Sequence, residues 1–363
     1  MAAQKTAKKS AAILPQDFDP DAAAPAESGI YGLPFAAADA RVVVIPVPYE
    51  ATTSYGGGTS NGPAAVLEAS KQVDLYDRET GRPYAAGIAM LDIPKKIVRW
   101  NREAKALAQP VIERGGAVDR KTKAAVEKVN AISASVNEWV YAQTLSLLVQ
   151  KKMPVILGGD HSVPFGAIQA YADHFPGLGI LHLDAHADLR DAYEGFTWSH
   201  ASIFHNVMTK ISKVGKLVQI GVRDLGSAES RMIDGSKGRI TTFFDSDLAA
   251  RKEEGTPFAT IADQIVATLP DDVYLSWDID GLDPTLCPST GTPVPGGLSW
   301  NEAIGLLRAI RRAGKRIVGL DLCEVAPGET EWDANVGARL LYKMIGFALM
   351  TQGAADAGRR KSL

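Results

Sequence analysis

Short, strongly apolar runs alternate with longer amphipathic stretches along most of the chain, and this spacing predicts strands separated by helices. Strands are expected at 41–45, 155–157, 180–183, 217–222, 241–244, 273–277 and 317–323. A helix begins near Pro63, a position where a first turn tolerates proline, and carries Ala64, Val66, Leu67 and Ala69 on one stripe. Residues 123–151 read as a long helix, with Val126, Val129, Ile132, Val136, Val140, Leu145 and Leu148 near helical spacing. Further helices are expected at 164–175, 203–214, 259–269, 301–313 and 334–350. The Lys/Arg-rich stretch 91–122 reads as a short strand followed by polar helical or loop structure. Strands alternating with helices imply an α/β fold with a central, mostly parallel sheet covered on both faces. No internal repeat or second core is visible, so 30–363 is expected to be a single domain. The Ala/Pro/Asp/Glu-rich stretch 1–29 is expected to be a disordered extension.

Four of the apolar runs end in carboxylates or imidazoles. They lead into Gly158-Gly159-Asp160-His161-Ser162, Asp184-Ala185-His186-Ala187-Asp188, Asp278-Ile279-Asp280, and Asp321-Leu322-Cys323-Glu324. In extended chain alternate residues share a face, which aligns Asp184, His186 and Asp188 and likewise Asp278 and Asp280. In open parallel sheets, sites form beyond the carboxyl ends of the strands, and all four runs place their polar residues there. A lone Asp-x-Asp is more often a turn, and a lone strand histidine is more often core; His182, inside its run, is read as core. Asp321 is read as a supporting residue. His161, Asp184, His186, Asp188, Asp278 and Asp280 together form a candidate ligand set for two divalent ions. Mixed oxygen and imidazole donors suit Mn²⁺ and also admit Ni²⁺, Co²⁺, Fe²⁺ or Zn²⁺. Four aspartates cancel two such ions, and Glu324 adds a further negative charge, which favours a cationic substrate.

Bulk properties narrow the alternatives. A hydrophobic content of 46% supports a substantial core, and a net charge of −3 gives no general electrostatic case for nucleic acid. No apolar stretch approaches the roughly 18 residues of a membrane span. Two cysteines, Cys287 and Cys323, argue against a disulfide scaffold and fit a reducing cytoplasm. Lys5, Lys8 and Lys9 resemble a transit peptide, but Asp17, Asp19, Asp21 and Glu27 oppose that reading.

The combined motifs resemble the ureohydrolases, the family of arginases, agmatinases and related amidinohydrolases. The resemblance rests on 158–162, on 184–188, on Ser276-Trp277-Asp278-Ile279-Asp280-Gly281-Leu282-Asp283-Pro284, and on the loop 290–297. It spans roughly residues 42–347. It implies a three-layer α/β/α sandwich, a dinuclear metal centre (usually manganese) and a homo-oligomer, commonly a trimer or hexamer. It further implies that Asp184 and Asp278 bridge the ions and that Glu324 grips a guanidinium. By the same resemblance Asp188 would accept a proton, and His200 matches the family's proton-shuttling histidine. Arginases carry an asparagine where this chain has Arg190, so the expected substrate shifts from arginine to agmatine, hydrolysed to putrescine and urea. The runs 48–56 and 188–195 resemble microbial agmatinases. Trp198 and Trp332, if they face the pocket, narrow it and favour free guanidine. Guanidinobutyrate and guanidinopropionate are further alternatives. A non-catalytic polyamine-binding or assembly subunit, and a one-zinc deacetylase of related fold, are the readings from other classes.

Overall fold

The computed structural model describes residues 14–15 and 18–353. The expected disordered extension therefore falls in part, at 1–13 and 16–17, outside the described residues. Within it, Leu14 and Phe18 lie against the core, and Phe18 approaches the ring of Tyr84 at 6.3 Å between centroids.

Among the described residues the chain forms eight strands, β1 (Val42–Val47), β2 (Ile88–Met90), β3 (Met153–Gly158), β4 (Leu178–Leu183), β5 (Val214–Val222), β6 (Ile240–Phe244), β7 (Asp272–Asp278) and β8 (Arg316–Cys323). The helices are α1 (Gly62–Ser70), α2 (Lys95–Ile112), α3 (Arg120–Val149), α4 (Phe165–His174), α5 (Ile203–Lys210), α6 (Ser227–Gly235), α7 (Asp245–Glu253), α8 (Phe258–Ala267), α9 (Trp300–Arg312) and α10 (Trp332–Thr351). All strand pairs are parallel, in the order β2-β1-β3-β8-β7-β4-β5-β6. Successive side chains of each strand serve opposite faces. Leu181 and Leu183 of β4 join the cluster that includes α1 and α8 to α10, whereas Ile180 joins the cluster of α4 and α5. Ile156 of β3 faces a third cluster with α2 and α3. The result is a three-layer α/β/α sandwich.

Several expectations need adjustment. The stretch 91–122 holds a real amphipathic helix, α2, which buries Ile97, Ala104, Ala108 and Val111. Its charged face masks that stripe, and Pro110 sits in its last turn, where the helix is ending. The helix expected at 203–214 stops at Lys210, and Val214 already begins β5. Helices α6 and α7 were not legible from periodicity. Each buries one residue, Glu229 and Leu248 respectively, so neither has an apolar stripe.

The four ligand-bearing runs occupy the contiguous centre of the sheet, β3-β8-β7-β4. Their carboxyl ends form one floor. Gly159 allows the chain after β3 to pass Tyr49 closely, since a Cβ there would lie 2.2 Å from the Tyr49 carbonyl oxygen.

Candidate metal centre

The candidate ligands converge, though not by the pleat of extended strands. β4 ends at Leu183, and Asp184 then accepts the backbone N–H of His186 at 2.6 Å, which tightens the turn. Asp188 adopts a left-handed backbone (φ 54°), as does Glu324 (φ 63°). Such conformations cost about 1–3 kcal/mol each and persist where surrounding contacts impose them. Asp278 closes β7, and Asp280 sits in the one-turn 3-10 helix Ile279–Gly281, where its N–H bonds Asp278 Oδ1 at 2.9 Å. Turns, not alternation, bring these carboxylates together.

His161 Nδ1 lies 3.1 Å from Asp184 Oδ2 and 3.5 Å from both Asp188 Oδ2 and Asp278 Oδ2. On the other flank, His186 Nδ1 lies 3.1 Å from Asp280 Oδ2 and 3.3 Å from Asp184 Oδ1. Among the described residues three groups of donors lie close enough to hold a cation: His161, His182, Asp184 and Asp188; Asp184, His186 and Asp280; and, behind His161, that histidine with Asp321 and Cys323. The first two of these groups share Asp184, so that one carboxylate could serve both ions. Asp280 Oδ2 is buried and receives no hydrogen bond beyond its approach to His186 Nδ1, and the six proposed ligands lack thiolate, so the residues fit a pair of divalent ions. His161 presents its remaining nitrogen, Nε2, to Ser276 Oγ at 2.9 Å, and Ser276 donates onward to Asp321 Oδ1 at 3.1 Å. Asp321 thus supports the imidazole from behind, the arrangement that orients metal-binding histidines.

The electrostatics follow from crowding. Burial raises the Asp188 carboxyl well above the ordinary range, and the charge of Asp184 adds to it. Burial and then Asp280 do the same to Asp278, and burial and then Asp160 to Glu324. Burial also opposes ionisation of Asp184, but His182, His161 and His186 outweigh it and hold that carboxyl well below the usual range. Burial disfavours charge on His186, yet Asp280 and Asp184 push it up to about 12. His200 is driven down to about 4 by burial and by His186, which leaves it neutral at pH 7.

These side chains border a cavity of about 260 Å³, with His161, His186, Asp188 and Asp278 among the residues that bound it and Tyr55, Tyr193, Arg190 and Asp224 among the others. Glu324 enters the same cavity. One of its carboxylate oxygens accepts the His161 N–H at 2.9 Å, and the other is buried without a partner. His200 Nδ1 is 4.0 Å from Glu324 Oε1. Trp198 packs on Phe165 and Trp332 donates to the Thr285 carbonyl; neither borders the cavity, so the expected narrowing by tryptophan does not occur. The aromatic side chains that border it are Tyr55 and Tyr193. Cys287 and Cys323 are both buried and unpaired.

Two loops form the mouth, and the helices of 95–149 hold both. Asn101 of α2 accepts the Glu50 N–H at 2.8 Å, and Lys105 bonds the Glu50 carboxylate, which also receives Thr59 Oγ and Ser60 N–H at 3.0 Å. That loop carries Ser54 and Tyr55. Asn130 of α3 donates to the Gly195 carbonyl at 3.2 Å and accepts the Thr197 N–H at 3.0 Å, holding the loop of Tyr193 and His200. Sequence reasoning had assigned no role to Glu50, Asn130, Gln219 or Ser276. Their residue types carry no chemistry of their own at those positions; only their partners reveal them.

Comparison with known proteins agrees with this geometry. Residues 40–346 match the family model described as Arginase family. An N(1)-aminopropylagmatine ureohydrolase of Thermus thermophilus is 33% identical over 316 residues, covering 87% of this chain and 92% of that protein. An agmatinase of Pyrococcus horikoshii is 29% identical, covering 85% and 93%. Among solved structures, the agmatine ureohydrolase of Thermoplasma volcanium superposes with a TM-score of 0.65 at 24% identity, covering 85% of this chain and 90% of that one. The chain belongs to the arginase family, a family of enzymes dependent on two metal ions. It is a ureohydrolase, acting on the C–N bonds of linear amidines. Among the described residues no helix is long and apolar enough to cross a membrane.

Proposed function

We propose that this enzyme hydrolyses the guanidino group of agmatine or a close N-alkyl relative, releasing urea and an amine. The observation that carries the guanidinium reading is Glu324. It is a buried carboxylate with one oxygen fixed by the His161 N–H and the other unpartnered, in the same cavity as the His/Asp cluster. A planar cation is oriented best by such a planar acceptor.

His161, Asp184, His186, Asp188, Asp278 and Asp280 are the proposed ligands of two ions, Mn²⁺ by preference and Ni²⁺ as the alternative. Ions held there would supply a water of lowered pKa as nucleophile. The guanidinium carbon is a poor electrophile, so placing it matters as much as activating water. Glu324 holds the cation in plane over the cluster. Asp188, whose carboxylate borders the same cavity beside Asp184, takes the proton released as the tetrahedral centre forms. His200, neutral and close to Glu324, relays a proton to the departing amine.

The cavity extends well beyond this point. From the His/Asp cluster its 260 Å³ reaches out to Tyr55, Tyr193, Arg190 and Asp224, past the reach of the four heavy atoms of bare guanidine at Glu324. Asp224 at the mouth makes no ion pair among the described residues, which suits a distal ammonium. Relatives named for agmatine and N(1)-aminopropylagmatine support the same choice. Arg190 favours a second reading, a guanidino acid such as guanidinobutyrate, because its guanidinium borders the mouth above the Tyr193 ring at 4.9 Å. Urea release after Mn²⁺ or Ni²⁺ loading, with agmatine, N(1)-aminopropylagmatine, guanidine, arginine and guanidinobutyrate at matched concentrations, decides among them. The proposal expects the highest kcat/KM for an amine-tailed substrate. Preference for guanidine or guanidinobutyrate overturns the tail assignment, and absence of urea from all five favours a non-catalytic binder. A cytoplasmic homo-oligomer of three or six chains completes the proposal and is tested by sedimentation.

A further inference from the structure

Behind Asp184 runs a chain of hydrogen bonds that the proposed reaction does not use. Thr242 Oγ on β6 donates to Gln219 Oε1 on β5 at 2.9 Å. That fixes the amide so that its nitrogen faces the other way. The two N–H groups of Gln219 are then both spent, one on His182 Nδ1 at 2.9 Å and one on the Ala187 carbonyl at 2.7 Å. Because His182 Nδ1 accepts, its proton resides on Nε2. Nε2 donates to Asp184 Oδ2 at 2.8 Å. Gln219 and His182 are fully buried, so no solvent competes for these bonds.

We infer that Gln219 is a positioning residue for the metal centre, acting through both of its N–H groups. Through His182 it aims Asp184, the carboxylate shared by two of the candidate cation groups. Through Ala187 it holds the peptide that joins the ligands His186 and Asp188. Three of the six proposed ligands are thereby tied to one amide on a neighbouring strand. The same network disqualifies His182 as a ligand, although it stands within reach of the cluster, because one nitrogen carries the proton given to Asp184 and the other is occupied by Gln219. This inference rests on the two-ion reading above.

The test is Mn²⁺ titration of the full-length apo-protein, read as affinity, stoichiometry and the spin-coupled electron paramagnetic resonance of paired ions. Gln219→Met keeps the volume and removes both donors; Thr242→Val removes only the bond that orients the amide. Loss of such outer partners typically weakens metal affinity by about 10–100-fold. Gln219→Met is expected to reach that range and to lose the coupled signal, with Thr242→Val shifted the same way by less. Asp184→Asn is the control and is expected to lose paired binding outright. If Gln219→Met binds two ions at native affinity while Asp184→Asn does not, the positioning role is overturned and the two-ion reading stands. Native paired binding by Asp184→Asn overturns both. Should Gln219→Met fail to fold, unchanged affinity in Thr242→Val overturns the positioning role.

Discussion

The floor of the cavity and its mouth are built on different physical terms. The floor sits on four adjacent strands buried on both faces, and its polar groups are fixed by short, fully buried hydrogen bonds such as Ser276 to Asp321 and His182 to Asp184. The mouth consists of two loops whose geometry depends on single side chains of α2 and α3, several of them exposed, as in the bonds made by Asn130. Rigid placement suits ligands that share ions over distances of a few ångströms. Looser placement suits a surface that selects among tails. On the proposed function, the metal-dependent chemistry lies where the fold leaves no freedom, and substrate choice lies where individual contacts can change.

Substitutions on the floor are expected to have the largest effects. Asp280→Asn removes one of the carboxylates of the His186 group, so metal content falls and turnover is lost, as measured by elemental analysis and urea release. Glu324→Gln leaves metal content intact but weakens the in-plane grip on the guanidinium, and kcat/KM falls by about 100-fold or more, the scale of a misplaced reactant. At the mouth, Asp224→Asn raises KM for agmatine by about five-fold with little change in kcat, consistent with an exposed ion pair worth up to roughly 1 kcal/mol. Asn130→Ala removes two exposed bonds of about 0.5–1.5 kcal/mol each at most. It speeds hydrogen exchange over 190–200 and lowers kcat/KM several-fold, while metal stoichiometry is unchanged. A floor-like collapse in either mouth variant breaks the comparison.

Glu50 gives the smallest and most pH-dependent effect. Burial raises its carboxyl, but Lys105, Ser60 and Thr59 together hold it below the ordinary value of 4.5. A depressed carboxyl contributes stability above its unfolded value, lost as pH falls through the folded one. Thermal unfolding should therefore show a contribution present at pH 7 and lost progressively as pH falls below the ordinary carboxylate range through the folded value. Lys105→Met should diminish it by about 0.2–1 kcal/mol, since Lys105 is half-exposed and Glu50 keeps two other donors.

Much of the floor was legible in the chain because ligand chemistry and strand pattern coincide: an apolar run ending in Asp or His marks both the strand and its exit. Strand alternation alone does not account for the convergence, since Asp188 and Glu324 depend on left-handed backbones that no alternation implies. His182 looked like core and is core, yet it also bonds Asp184. Gln219 and Asn130 were invisible because an amide has no signature until its partners are known. α6 and α7 escaped notice for a related reason, their burial being too slight to leave a stripe. Tryptophans 198 and 332 mislead in the opposite direction, as large side chains that pack elsewhere.

Anomalous diffraction from Mn²⁺-loaded crystals tests the central claim most directly. Two peaks about 3.5–4 Å apart are expected at the carboxyl ends of β3, β4 and β7, with Asp184 touching both ions and His182 touching neither. A single peak, or a pair that leaves Asp184 unbound, contradicts the account.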